Sequence, residues 1–141
     1  VDEALRSVGA TLKATVRASD AVCRYGGEEF LIFLPECDLA EAVAKGEDIR
    51  AAVSVMVVRV GDKAIPALTV SIGLAAFPEA ASNRTDLIQV ADRALYRAKG
   101  AGRNRVEVAA NSEPPAPKWI PTRAFKPAKH SARQSKPRAA K

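Results

Sequence analysis

The stretch CRYGGEEFLIF, residues 23–33, places two glycines and two adjacent glutamates inside an otherwise apolar strand pattern. Val22 to Tyr25 and Phe30 to Leu34 both have strand-forming composition, and Gly26-Gly27 between them favours a two-residue hairpin turn with positive φ. Apolar side chains alternate onto both faces of the second strand. This pattern predicts a central strand that is covered on both sides.

Glu28 and Glu29 lie where the second strand leaves this turn. Two neighbouring carboxylates repel each other, and partial burial raises the cost further. A divalent cation would remove the repulsion, since hard ions such as Mg²⁺ bind oxygen ligands, and Gly26 and Gly27 would leave space for a phosphate. A tight turn with two solvated glutamates is an equally good interpretation of these residues alone, so the rest of the chain must decide.

Composition indicates one neutral domain followed by a basic tail. The chain has 141 residues and is 48% hydrophobic, which is enough for one domain with a substantial core. The chain has 22 basic and 16 acidic residues. The segment 109–141 contains 8 basic residues and one acidic residue, so residues 1–108 contain 14 basic and 15 acidic residues. The net charge of +6 therefore belongs to the tail, and the neutral domain disfavours a nucleic-acid-binding function.

The tail contains 6 of the 9 prolines and shows no hydrophobic periodicity, so we expect residues 109–141 to be disordered. A solubilising extension is one interpretation, and contact with anionic lipid or nucleic acid through Trp119 and Phe125 is another. No signal peptide or membrane-spanning apolar run occurs, which predicts a cytoplasmic protein. The chain starts at Val1 inside a helical pattern, so we expect upstream sequence to be missing, and a parent protein could be membrane-anchored through it.

Hydrophobic periodicity predicts three helices, the second of them opened by a capping box of Asp38 and Glu41. Helices interleaved with hairpins indicate an α+β sandwich, with helices packed on a mostly antiparallel central sheet. A predicted helix over 3–17 precedes the hairpin. The predicted elements after the hairpin are a helix from Asp38 to Met56, a strand near Val57–Val60 that turns at Gly61-Asp62, a long strand over 68–74, a helix from Thr85 to Gly100 and a strand at Arg105–Val108.

Three segments, RYGGEEF, LTVSIGLAAF and ADRALYRAKGAGRNRV, occur in the order and spacing of GGDEF domains, which are diguanylate cyclases. The resemblance covers residues 2–108 and implies a GGDEF domain over 1–108, with the palm-like sheet of nucleotide cyclases and polymerases. It also implies a transferase that condenses two GTP into cyclic di-GMP and releases pyrophosphate. The family performs this reaction in a homodimer with Mg²⁺ or Mn²⁺, and its product is a bacterial second messenger in signal transduction and biofilm formation.

The resemblance assigns roles to residues of the hairpin. Glu28 matches the residue that binds metal and helps to deprotonate the attacking 3′-hydroxyl, and Glu29 matches its partner in the metal site. Gly26 and Gly27 would let the triphosphate lie against the backbone. Asp2 matches an acid that reads the guanine edge, although a helix N-cap is an equally good interpretation of that residue.

Lys99 and Arg103 match the phosphate-binding pair of the family, which follows the third helix. An arginine fork suits phosphate oxygens, which favours this role. The alternative interpretation is that both cations only complement the negative end of the helix dipole.

Arg17 and Asp20 match the RxxD site at which the family binds a product dimer and is inhibited. As a bare pattern these two residues are equally well interpreted as surface residues that close a helix. Asp48 stands where the family often adds an arginine, and we therefore expect weak product inhibition.

The largest departure from the family is an absence. The first strand, with a metal-binding aspartate, and the following helix, with a guanine-reading asparagine, have no counterpart in this chain. We therefore expect a fragment of a diguanylate cyclase that is poorly active as given, whose parent carries an upstream sensor domain. A non-catalytic module that binds cyclic di-GMP or dimerises is the alternative.

Overall fold

The computed structural model describes residues 2–65 and 68–110. The predicted basic tail lies almost entirely outside these residues and stays a prediction. None of the helices in the described ranges has the length and apolar character needed to cross a bilayer. The elements in chain order are α1 (Asp2–Thr15), β1 (Ala21–Arg24), β2 (Phe30–Phe33), α2 (Leu39–Val55), β3 (Val58–Val60), β4 (Lys63–Ile65), β5 (Ile72–Leu74), α3 (Arg84–Gly100) and β6 (Val106–Val108).

Local side-chain chemistry fixes where the second and third helices begin. The predicted capping box is confirmed, because Asp38 Oδ1 accepts from the Glu41 amide at 2.8 Å and the Asp38 amide donates to Glu41 Oε2 at 3.1 Å. Asn83 caps α3 in a similar way, accepting from the Asp86 amide at 2.9 Å. Each cap satisfies backbone donors that lack a partner inside the helix.

The hairpin of β1 and β2 has a longer loop than the sequence predicts. Its last antiparallel pair joins Arg24 to Phe30, so residues 25–29 form a five-residue loop. The Tyr25 amide closes this loop by donating to the Glu29 carbonyl at 2.8 Å. Both glutamates therefore belong to the loop and its junction with β2.

The predicted turn conformation is wrong for the two glycines. Neither Gly26 nor Gly27 adopts a positive φ, and among the described glycines only Gly61 and Gly102 do so. A five-residue loop distributes the chain reversal over more residues than the two-residue turns that require positive φ. A Cβ at Gly26 would lie 3.4 Å from Glu29 Oε2, which is an ordinary contact with the end of a flexible side chain, so neither φ nor a steric clash requires glycine here.

The strands form three pairs. β1–β2 and β3–β4 are antiparallel, whereas β5–β6 is parallel. Within the described residues β2 pairs with β1 alone, so the central position predicted for it is not observed, although its side chains are half-buried. β5 is shorter than predicted because its pairing with β6 begins only at Ile72. The fold is α+β and palm-like, as predicted, with mostly antiparallel strand pairs.

The core has two parts, one on each side of β5. α1 and α2 supply Val8, Leu12 and Ile49 to the first part, which also receives side chains from the hairpin and from β5. The second part is smaller and contains Val90 and Ala94 of α3. The apolar residues packed against the first part are Val16, Val22, Phe30, Ile32, Met56, Leu68, Val70 and Ile72.

Gly73 lies at the closest approach of the sheet to α3. A Cβ at this residue would overlap the backbone of Ala91 and Leu95, both in α3. The helix backbone therefore lies directly against β5, which fixes the position of α3 relative to the sheet.

We expect Gly73→Ala to destabilise the protein by about 3 kcal/mol or more, because the overlap is with backbone atoms that cannot rotate away. Gly100→Ala is the matched control, since a Cβ at this last residue of α3 has no atom within 4 Å. Urea unfolding followed by circular dichroism measures both changes. Equal stability of the two variants would contradict the close packing of α3 on β5.

Candidate active site

The two glutamates at the hairpin differ in their surroundings. The Glu28 side chain is exposed and has no hydrogen-bond or ion-pair partner within the described residues. Glu29 forms an ion pair with Lys99, with 3.5 Å between Glu29 Oε1 and Lys99 Nζ. The Glu28 carboxylate is thus available to a cation, whereas Lys99 partly neutralises the charge of Glu29.

The pair between Glu29 and Lys99 joins two of the sequence motifs across 70 residues of chain. Lys99 lies in the last turn of α3, where a cation also complements the helix dipole. Both side chains are about half exposed, so the pair contributes little to stability. The ion pair matters for the site because it places the Lys99 amine beside the carboxylate of Glu29.

Asp92 is a further member of this cluster that the sequence did not single out. It lies seven residues before Lys99, on the same face of α3. Partial burial and the charge of Glu29 raise the pKa of Asp92, and the charge of Lys99 acts in the opposite direction. The spacing of two helical turns was the signal that could have identified this residue.

Arg103 lies in a loop with an unusual backbone. Gly102, Arg103 and Asn104 have φ values of 110°, 63° and 47°, so two residues with side chains occupy the left-handed region in succession. Such residues cost about 1–3 kcal/mol each and concentrate at functional sites. The Arg103 guanidinium has no partner within the described residues, which leaves it available to an anionic ligand.

Contacts with α2, α3 and Ser71, the residue before β5, hold this loop in place. The Arg103 amide donates to the carbonyl of Ala98 at 2.9 Å, which ties the loop to α3. The Asn104 amide donates to Ser71 Oγ at 3.2 Å, and Arg50 of α2 donates to Asn104 Oδ1 at 3.1 Å. The loop is therefore fixed, while the side chain of Arg103 remains unengaged.

A groove of about 440 Å³ runs between α1 and the hairpin. Leu5, Val22 and Phe30 are among the apolar residues that line it. Arg24 is anchored at its hairpin side, donating to the carbonyls of Gly26 and Gly27 at 3.3 and 2.7 Å. An apolar wall with cationic groups suits a planar base joined to phosphates. The cations that line the groove are Arg6, Lys13 and Arg24.

Asp2 is not brought into contact with the other predicted site residues. It is exposed and is the first residue of α1, and no hydrogen bond or ion pair within the described residues joins it to the hairpin. Its place inside the first turn suits the positive end of the helix dipole. Its predicted role toward guanine remains a prediction.

Arg17 and Asp20 form a second, separate site at the start of β1. The Arg17 amide donates to Asp20 Oδ2 at 2.7 Å, and the Arg17 guanidinium lies 3.6 Å from Asp20 Oδ1 and donates to the Pro35 carbonyl at 3.3 Å. The Asp20 side chain is fully buried, and its Oδ1 atom has no hydrogen-bond partner. An unsatisfied buried oxygen of this kind is an available acceptor for an N–H group.

A cavity of about 170 Å³ adjoins these two residues. Cys37 lies in its wall, and burial together with the charge of Glu41 raises the pKa of this thiol. The thiol is therefore held in its neutral form at neutral pH. The other residues that line the cavity are Leu34, Glu41 and Lys45.

Asp92→Asn should stabilise the protein at neutral pH. The raised pKa of Asp92 means that the folded state disfavours the charged carboxylate, so the cost is present above that pKa and vanishes below its ordinary value of 3.8. The stability difference from the parent should therefore shrink as the pH falls toward 3.8. Urea unfolding between neutral pH and pH 3.8 measures this difference, and the exposed Asp62→Asn is the control. If Asp92→Asn were less stable than the parent at neutral pH, burial and the charge of Glu29 would not destabilise the Asp92 carboxylate.

The sequence matches the family "Diguanylate cyclase, GGDEF domain" over residues 1–105. Diguanylate cyclase DosC of Escherichia coli strain K12 is 44% identical over 107 residues, which cover 76% of this chain and 23% of DosC. Two solved structures are similar in fold. A shortened YfiN of Pseudomonas aeruginosa that comprises only the GGDEF domain has a TM-score of 0.72 and 30% identity, covering 78% of this chain and 64% of that one.

The second structure is the GGDEF domain of DgcB from Caulobacter crescentus, in complex with c-di-GMP. Its TM-score is 0.68 and its identity 32%, over 77% of this chain and 64% of that one. The chain thus spans less than a quarter of the length of DosC and under two thirds of each solved domain. Because the family match extends over most of its length, this chain belongs to the GGDEF domain family of diguanylate cyclases.

Proposed function

We propose that this domain condenses two GTP molecules into cyclic di-GMP and releases two pyrophosphates. The observation that carries the proposal is the 3.5 Å contact between Glu29 and Lys99. It places a carboxylate suited to metal beside an amine suited to phosphate, and the unpartnered carboxylate of Glu28 is its neighbour in the same loop. The identity to DosC supports the same reaction class.

In the proposed reaction, the 3′-hydroxyl of each GTP attacks the α-phosphate of the other. A new phosphorus–oxygen bond forms as the bond to pyrophosphate breaks. Glu28 accepts the proton of the hydroxyl, and Lys99 and Arg103 bind the phosphates. Each protomer of a homodimer holds one GTP, so that the two nucleotides face each other. Positioning and charge supply most of the catalysis in such a step.

The groove between α1 and the hairpin is the proposed location of the nucleotide. Its apolar wall would pack against the base, with Asp2 at the start of α1 reading the guanine edge. Gly27 leaves the loop open, since a Cβ there has no atom within 4 Å. The triphosphate can therefore approach the loop backbone between Arg24 and the glutamates.

The expected metal, Mg²⁺ or Mn²⁺, fits the donor atoms at the hairpin. Glu28 and Glu29 offer hard carboxylate oxygens, which both ions prefer. Residues 2–65 and 68–110 contain no group of three or more potential metal ligands. Mg²⁺ in nucleotide enzymes commonly uses one or two carboxylates together with water and substrate phosphates, and when bound it neutralises phosphate charge. The residues therefore fit a metal that binds together with GTP.

A module that binds cyclic di-GMP without making it is the second candidate. The observation that favours it is the Arg17–Asp20 site, where a cation and an unsatisfied carboxylate oxygen lie together. We propose that this site binds the product in either case and inhibits synthesis in the active enzyme. An assay of GTP turnover separates the two candidates.

Glu28→Gln and Glu29→Gln should each lower the formation of cyclic di-GMP by about a hundredfold or more, because a charged group at the reaction centre is lost. The exposed Glu79→Gln is the control and should match the parent. With only two carboxylates at the site we expect slow turnover, so product is measured by mass spectrometry at high protein concentration. Product formation by both hairpin variants at the parent rate would refute the assignment. Binding of cyclic di-GMP by a parent chain that makes none would favour the second candidate.

Arg103→Gly separates binding from folding. Glycine accepts a φ of 63° without strain, so the free energy of unfolding should stay unchanged or rise by up to about 1 kcal/mol. GTP binding in the presence of Mg²⁺ should weaken by about ten- to a hundredfold, since a charged donor to phosphate is lost.

The control for this variant is Asn104→Gly, which relaxes the neighbouring left-handed residue and keeps the guanidinium. Its GTP affinity should equal that of the parent in an isothermal titration. If Arg103→Gly bound GTP as tightly as Asn104→Gly did, Arg103 would have no role in phosphate binding.

A further inference from the structure

The cavity beside Arg17 has one wall formed by α2 and the residues just before it. Cys37, Glu41 and Lys45 follow one another at a spacing of four residues, so they lie on one face. Lys45 is the cation of this wall, and Arg17 is the cation on the other side. The cavity thus has two cationic groups contributed by different elements.

Lys45 retains most of its capacity to bind an anion. Its Nζ atom donates to the carbonyl of Thr15, the last residue of α1, at 3.0 Å. An ammonium group has three donors, so two remain unused. Within the described residues no carboxylate forms an ion pair with Lys45, and the side chain is half-buried.

The two acids of the cavity are already engaged on one oxygen each. Asp20 Oδ2 accepts from the Arg17 amide at 2.7 Å, and Glu41 Oε2 accepts from the Asp38 amide at 3.1 Å. Asp20 Oδ1 has no hydrogen-bond partner although it is buried. The cavity therefore offers two cations to an anion, and the second oxygens of Asp20 and Glu41 as acceptors to N–H groups. A guanine nucleotide carries both kinds of group.

Asp48 does not line this cavity, although sequence counting aligned it with an arginine of the family. Lys45 lies three residues earlier, which is close to one helical turn nearer the start of α2. A cation is therefore present on α2, displaced by about one turn from the position of Asp48.

We propose that Lys45 is a further ligand-binding residue of the cyclic di-GMP site, where it binds a phosphate of the product that Arg17 and Asp20 also contact. This inference rests on the product binding proposed above for the Arg17–Asp20 site. It replaces the expectation of weak binding that Asp48 suggested, because Lys45 supplies the second positive charge.

The test is isothermal titration of the 141-residue chain with cyclic di-GMP. Lys45→Gln keeps a donor toward Thr15 and removes the charge, so affinity should fall by about ten- to a hundredfold. Lys45→Arg keeps the charge and should restore most of the affinity. Lys63→Gln, at an exposed lysine of β4, is the matched control and should bind as the parent does.

Arg17→Ala distinguishes this inference from the function on which it rests. If Arg17→Ala loses binding while Lys45→Gln binds as the parent does, the role of Lys45 is refuted and the product site stands. If the parent chain itself does not bind cyclic di-GMP, both are refuted. If Lys45→Gln only lowers the melting temperature, with unchanged affinity, Lys45 merely ties α2 to the end of α1 and the inference fails.

Cys37 provides a second readout that locates the ligand. In a Cys23→Ser background it is the sole thiol of the chain, and it lines the cavity. Cyclic di-GMP should slow its alkylation by N-ethylmaleimide in the parent, and the same ligand concentration should protect it less after Lys45→Gln. Protection that is equal in both proteins would contradict the proposed contact.

Discussion

The direct contact of α3 with Gly73 is the constraint on which the candidate active site depends. Because no side chain separates the backbone of this helix from β5, the helix cannot shift along the strand without collision. The end of α3 therefore has a fixed height above the sheet. Lys99 reaches Glu29 from that end, and the loop that carries Arg103 follows directly after Gly100. The close packing at Gly73 thus fixes the positions from which Lys99 and Arg103 extend.

The negative charge at the hairpin is balanced in part by the ion pair between Glu29 and Lys99. The charge of Glu29 acts on Asp92, Glu28 is the neighbour of Glu29 in the loop, and Lys99 forms an ion pair with Glu29. Under the proposed function, a metal held by Glu28 and Glu29 would weaken the attraction between Glu29 and Lys99, and the Lys99 amine would then be available to a phosphate of the substrate. The ion pair is therefore better understood as an arrangement of the free protein than as a source of stability.

The sequence alone predicted those features that depend on residues close together in the chain. The capping box depends on Asp38 and Glu41, which are three positions apart, and this prediction is confirmed. The conformation of Gly26 and Gly27 was predicted wrongly because strand register, and not composition, sets the loop length. The charge of Glu29 beside Asp92, and that of Arg17 across the cavity from Lys45, come from residues distant in the chain, which the local pattern does not reveal.

The two sites lie at opposite ends of one strand. Asp20 immediately precedes β1, and the loop with the glutamates follows its other end. Four residues of strand span about 13 Å, so a ligand held by Arg17 and Asp20 does not occupy the position of the glutamates. Under the proposed function, product bound there would therefore not displace ligands from Glu28 or Glu29 directly. Its proposed inhibition of synthesis would have to be transmitted through β1, through α2, whose Lys45 lines the same cavity, or through the approach of the two proposed protomers.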